Sequence, residues 1–207
     1  QCSGPLTVEV RDGLGNAAPV AAVTPVSLSA SPAAGVALYA TPDCSGPSGG
    51  PASVPAGSAA GTFSFRSTAA GALDVTATAG GLVPATQPQT ILAAAPDRLV
   101  FTTPAQTVTA GVCSAAATIE ARDVFDNVAP VTALTAVSLS AAPPAGFQLF
   151  DAAGCGGAPV ASVGIPAGAS GATFWFRGTV TGSVTVTATG AGMPTAATQA
   201  ETIAPAA

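Results

Sequence analysis

The chain has 207 residues, of which 48% are apolar and only 7% charged, with 24 Gly and 19 Pro, and its length admits two domains of about 100 residues, each able to bury a core. Ten carboxylates against five Arg, with no Lys and no His, give a net charge of −5, which excludes the basic face that a nucleic-acid partner requires. The longest apolar stretches are cut by Pro, Gly and Thr, so no segment predicts a membrane span or a signal core, and any export signal is expected outside this sequence.

Alternation with a period of two begins at once. Leu6, Val8 and Val10 are expected to face inward while Thr7, Glu9 and Arg11 face water, and Val26, Leu28 and Ala30 alternate in the same way with Ser27 and Ser29. Further strands are predicted at residues 36–40, at 61–66 with Phe63 and Phe65 inward, at 72–78 with Leu73 and Val75 inward, and at 85–91. Gly and Pro turns separate them and no helical period intervenes, which predicts an all-β, antiparallel sandwich.

The same series then recurs. Cys2 and Cys44 are each followed, 111 residues later, by Cys113 and Cys155, and the motifs Glu9-Val10-Arg11-Asp12 and Val75-Thr76-Ala77-Thr78 return as Glu120-Ala121-Arg122-Asp123 and Val186-Thr187-Ala188-Thr189. A repeat of that length suits an array of complete domains. The expected division is a first repeat over residues 1–92, a linker Ala93-Ala94-Ala95-Pro96, and a second repeat over residues 97–207. Residues 97–111, with Arg98-Leu99-Val100-Phe101-Thr102 and Thr107-Val108-Thr109, read as an opening edge strand that has no counterpart ahead of the first copy. The first repeat is therefore expected to lack its first strand, either because the chain belongs to a longer array or because another chain supplies that strand.

The run Asp97-Arg98-Leu99-Val100-Phe101-Thr102-Thr103-Pro104, then residues 118–127 (Thr-Ile-Glu-Ala-Arg-Asp-Val-Phe-Asp-Asn), then Val184-Thr185-Val186-Thr187-Ala188-Thr189, resembles the bacterial immunoglobulin-like repeats of invasin-type and other surface adhesins. The resemblance implies two tandem immunoglobulin-like sandwiches acting as rigid stalk segments, with no active site and no cofactor. It also implies a bacterial cell-surface or extracellular location, with neighbouring repeats of the same or identical chains as partners. Two departures stand out: many such repeats lack cysteine, and the turn that often reads Gly-Asn, as at Gly15-Asn16, is Asp126-Asn127 in the second copy.

Four cysteines allow three pairings, and the repeat symmetry favours Cys2 with Cys44 and Cys113 with Cys155. A metal or redox role would require His or a Cys-x-x-Cys spacing, and the chain has neither. No Trp lies between the cysteines of either pair, so each bridge is expected to tie the start of a strand to a loop, in an oxidising compartment. Gly46-Pro47-Ser48-Gly49-Gly50 matches a hydrolase elbow by letter, but no His could take the serine proton. Asp123, Asp126 and Asn127 are weak calcium candidates beside the reading of a plain turn, because calcium needs six to eight oxygens. Glu9 with Arg11, and Glu120 with Arg122, read as surface ion pairs. Trp175, flanked by inward Phe174 and Phe176, is expected to be exposed and available to a surface glycan, to a protein or neighbouring domain, or to its own sheet. The leading expectation is a structural repeat of a stalk, adhesin or fibre; the alternatives are a strand-donating filament subunit and a binding module centred on Trp175.

Overall fold

A computed structural model describes residues 1–206. The chain divides into two compact units, one over residues 1–92 and one beginning at Ala93.

The first unit contains β1 (Leu6–Glu9), β2 (Thr24–Ser31), β3 (Val36–Tyr39), β4 (Ala52–Val54), β5 (Ala60–Ser67), β6 (Gly71–Thr78) and β7 (Ala85–Ile91). They form one sheet in the order β1-β5-β3 and a second in the order β4-β2-β6-β7, with every pairing antiparallel. The second unit contains β8 (Arg98–Phe101), β9 (Thr107–Thr109), β10 (Ala117–Arg122), β11 (Thr135–Ala142), β12 (Phe147–Phe150), a single 3-10 turn (Ala153–Cys155), β13 (Ser162–Ile165), β14 (Gly171–Gly178), β15 (Gly182–Gly190) and β16 (Ala197–Ala204). Its sheets run β12-β14-β10-β8 and β13-β11-β15-β16-β9. Each unit is an immunoglobulin-like β-sandwich, and the fold is all-β.

Alternation explains the burial. Along β10, Ala117, Ile119 and Ala121 are buried while Thr118, Glu120 and Arg122 are only half-covered. Phe174, Phe176, Val137, Ile165 and Val186 fill the same core; Phe147 stacks on Phe176 with ring centres 5.1 Å apart, and Phe101 meets Phe174 edge-on at 6.2 Å. Burying each such side chain contributes about 1.5–3 kcal/mol. The first unit repeats this core around Val26, Val54, Phe63, Phe65, Leu73 and Val75. It is thinner at one side: Leu6, Val8, Val10 and Leu28 are half-buried, whereas Ala117, Ile119, Ala121 and Leu139 in the same places are buried.

Two features differ from the sequence expectation. The opening segment of the second copy is not one edge strand but two, with β8 antiparallel to β10 in one sheet and β9 parallel to β16 in the other. Pro104 lies between them; its missing N–H and fixed φ break the ladder and let the chain change sheets. The short strands β4 and β13 were not anticipated, because three or four residues among Gly and Pro carry too little alternation. Among the described residues the first unit has no counterpart of β8 or β9.

Candidate functional site

Cys2 is bonded to Cys44 and Cys113 to Cys155, with Cα atoms 5.9 Å and 5.7 Å apart and a sequence separation of 42 in both cases. Each bridge joins the segment before the first shared strand to the loop after β3 or β12. A serine follows each N-terminal cysteine and fixes it to the central strand. Ser114 Oγ accepts the N–H of Phe176 at 2.9 Å and the Ser114 N–H donates to Phe176 O at 2.8 Å; Ser3 makes the same two bonds to Phe65, at 2.9 and 2.8 Å.

The three calcium candidates form a turn and an ion-pair cluster instead. Asp123 is fully buried, and its carboxylate accepts the N–H groups of Phe125 and Asn127 at 2.9 Å, the Asn127 side-chain amide at 2.8 Å and the N–H of Ala94 at 2.9 Å. Burial alone would raise its pKa, but the Asn127 amide and the three backbone donors outweigh that and hold it below the ordinary aspartate value. Asp126 pairs with Arg98 at 2.9 Å and with Arg122 at 3.2 Å, chiefly the latter lowering its pKa. A cation there would meet oxygens already directed at N–H donors and at two guanidinium groups. Among the described residues no cluster of three or more His, Cys, Asp or Glu is placed to hold a metal.

Asp126 has φ 73° where Gly15 has 87°. Only Gly adopts that conformation without strain, and Asp is among the residues that tolerate it. In the first unit Asp12 builds the same turn from Leu14 and Asn16 but is exposed. Ala94, in the expected linker, donates its N–H to Asp123, and that bond attaches the segment to the second unit.

Trp175 lies opposite Phe150, on the face of β14 away from Phe174 and Phe176. It is half-buried, not exposed, and the 3-10 turn carrying Cys155 lies near β14. Alternation assigns a face but not what covers it. The equivalent Ser64 is fully buried by the corresponding loop, donating to Thr41 O at 2.6 Å and accepting the Cys44 N–H at 3.1 Å.

Sequence reasoning missed Glu201. It is 1% exposed, on the inward row Ala197, Gln199, Glu201, Ile203 of β16, and its Oε2 accepts the N–H of Gln106 at 2.6 Å. An acid on the inward face of an apolar alternation was the available signal. Burial raises its pKa, and the Gln106 bond only partly opposes this. The folded unit thus retains a proton that the unfolded chain loses near pH 4.5, the ordinary glutamate value, so stability falls as pH rises through the window above that point. Glu201→Gln keeps an acceptor for Gln106 and removes the buried charge. It is expected to stabilise the second unit at pH 7 and to leave it unchanged near pH 4, as read by urea unfolding at both values.

Immunoglobulin-like sandwiches, each pinned by one disulfide at the same place, are the class that this geometry defines. No protein-family model and no curated protein matches the chain. Among solved structures it is similar to surface layer protein SbsC, domains 4-9, at 17% identity over 96% of this chain and 25% of that one, with a TM-score of 0.41. It is also similar to the D0-D1 domain of intimin, at 14% identity over 96% and 89% of the two chains and a TM-score of 0.33. A glycosyl hydrolase family 2 member from Bacteroides cellulosilyticus matches at 16% identity over 82% of this chain and 21% of its own, with a TM-score of 0.43. The chain thus spans a quarter or less of two of these three structures, and no function passes from any of them to it.

Proposed function

We propose that the chain is an extracellular, non-catalytic structural repeat, part of a bacterial surface stalk, adhesin or fibre, in which residues 1–92 and 97–207 act as successive domains joined through residues 93–96. One observation carries the reading: all four cysteines are paired, one bond per unit, and none is free. Such bonds persist in oxidising compartments and are rare where thiols are kept reduced. The two bridges hold corresponding loops against corresponding sheets. Neighbouring repeats are the partners this reading requires.

An antibody raised against the chain and applied to intact cells of the source organism is expected to label them without permeabilisation. Labelling that appears only after the envelope is opened would defeat the extracellular assignment.

A further inference from the structure

Two polar side chains, Gln199 and Glu201, stand on the inward row of β16 between Ala197 and Ile203. Both reach the crossover that carries the chain from β8 in one sheet to β9 in the other. Gln199 Nε2 donates to Thr103 O at 2.7 Å, and Glu201 Oε2 accepts the Gln106 N–H at 2.6 Å. Pro104, between those two attachments, has no N–H to contribute, and β9 pairs with β16 over only Thr107–Thr109. Gln106 is also held from the other side: its O accepts the Thr202 N–H at 2.9 Å, and its side chain donates to Ala115 O and Ala116 O at 3.3 and 3.4 Å.

These groups do not match if Glu201 is ionised. Gln199 Oε1 is buried and has no hydrogen-bond partner among the described residues, whereas buried acceptors are nearly always paired. The amide cannot be turned over, because its oxygen would then oppose the Thr103 carbonyl. Glu201 is 1% exposed, and the charges of the strands around it point away. Arg98 on β8 pairs with Asp126, Glu120 and Arg122 on β10 pair with each other, and Arg177 on β14 bonds Gln148, all from outward rows. β9, β11, β12, β13 and β15 carry no ionisable side chain, and Asp97, Asp123 and Asp151 lie outside the strands. Burial therefore raises the Glu201 pKa with only the Gln106 bond opposing it.

One proton on Glu201 removes both mismatches. The carboxylic acid keeps an oxygen for the Gln106 N–H and gains an O–H donor. Gln199 Oε1 is a buried acceptor two residues away on the same row, where Cα atoms are roughly 7 Å apart, a span that two side chains of this length bridge.

We propose that Gln199 and Glu201 form a proton-dependent clasp on residues 103–106: the Glu201 acid donates its O–H to Gln199 Oε1, and loss of that proton to solvent releases the crossover between β8 and β9. The ionised clasp would hold a buried carboxylate with a single donor beside an unpaired amide oxygen. Detachment of residues 103–106 admits water to both groups, so the second unit opens locally as pH rises.

The test is a pH series on the oxidised full chain, labelled with ¹³C and ¹⁵N, from about pH 4 to about pH 8. It follows the Glu201 carboxyl carbon and backbone amide exchange corrected for the intrinsic rate. Glu201 is expected to titrate above 4.5, the ordinary glutamate value, and protection of the Gln106 amide to fall about tenfold or more through that midpoint. The Leu139 amide, bonded to Ala161 O at 2.8 Å, is expected to stay protected. Glu201→Gln puts an NH₂ group in place of the acid O–H and is expected to keep Gln106 protected throughout. Gln199→Met removes the acceptor at similar volume and is expected to lower the Glu201 midpoint by about one pH unit, since the neutral form loses a hydrogen bond. A midpoint that Gln199→Met leaves unchanged would overturn the proposal, because burial alone would then hold the proton. Gln106 protection that never falls, that falls only together with Leu139, or that Glu201→Gln fails to preserve would overturn it equally. Should Gln199→Met not fold, the Gln106 profiles of the parent and of Glu201→Gln decide.

Discussion

Replacing Cys2 and Cys44 together by Ala is expected to unfold the first unit at ambient temperature, while the second, with its own bridge intact, still melts cooperatively. Closing a loop between partners 42 positions apart restricts the unfolded chain by about 4 kcal/mol in the entropy model. A small domain has a net stability of only about 5–15 kcal/mol, so this loss is a large share of the stability of a unit with a thin core. Leu6, Val8, Val10 and Ile91 bury only part of their surface, so its core contributes less than that of the second unit. The matching pair Cys113→Ala and Cys155→Ala removes the same entropic restriction from a unit whose Phe174, Phe176, Ile119 and Ile203 are almost wholly buried. That variant is expected to lose a similar free energy and to remain folded. Two-step calorimetric traces of the three proteins decide the matter. Equal survival of both units would show that the partial burial of these side chains costs the first unit little.

Asp123→Ala is expected to destabilise the second unit by about 3 kcal/mol, through buried donors left without an acceptor. The N–H groups of Phe125, Asn127 and Ala94 and the Asn127 side-chain amide all converge on this carboxylate. Asp123→Asn is expected to fail nearly as badly, because its NH₂ group would face donors where an oxygen is needed. Asp12→Ala, at the same place in the first unit, is expected to have a much smaller effect, since water reaches the groups that lose their partner. Asp123 also sets a pH dependence. Its lowered pKa gives stability that is present above the ordinary aspartate range and lost as pH falls through its folded value. The Ala variant is therefore expected to lose that acid limb. Amide exchange at Ala94 provides a local reading, with protection in the parent and none in the variant. Protection that survives would mean that the segment is held by something other than Asp123.

The alternation of Leu6, Val8 and Val10, of Phe63 and Phe65, and of their repeats was legible because a half-buried strand must show one row of side chains to the core and the other to water. The repeat likewise placed each cysteine with a partner at the same spacing. Other features depend on contacts between distant residues. Asp123 and Asp12 are the same residue in the same local turn, yet Asp123 is buried and accepts the Ala94 N–H, whereas Asp12 is exposed. Trp175 faces outward as its neighbours require, yet it is half-buried, which alternation does not specify.

What the sequence by itself determined about this protein was its strands, their inward and outward faces and its doubled organisation, since these follow from side-chain period and identity alone. Only the tertiary structure decided that residues 98–109 divide between two sheets and that Glu201 is enclosed beneath them. Those outcomes depend on which strands become neighbours, and neighbours far apart in the chain leave no local pattern from which to read them.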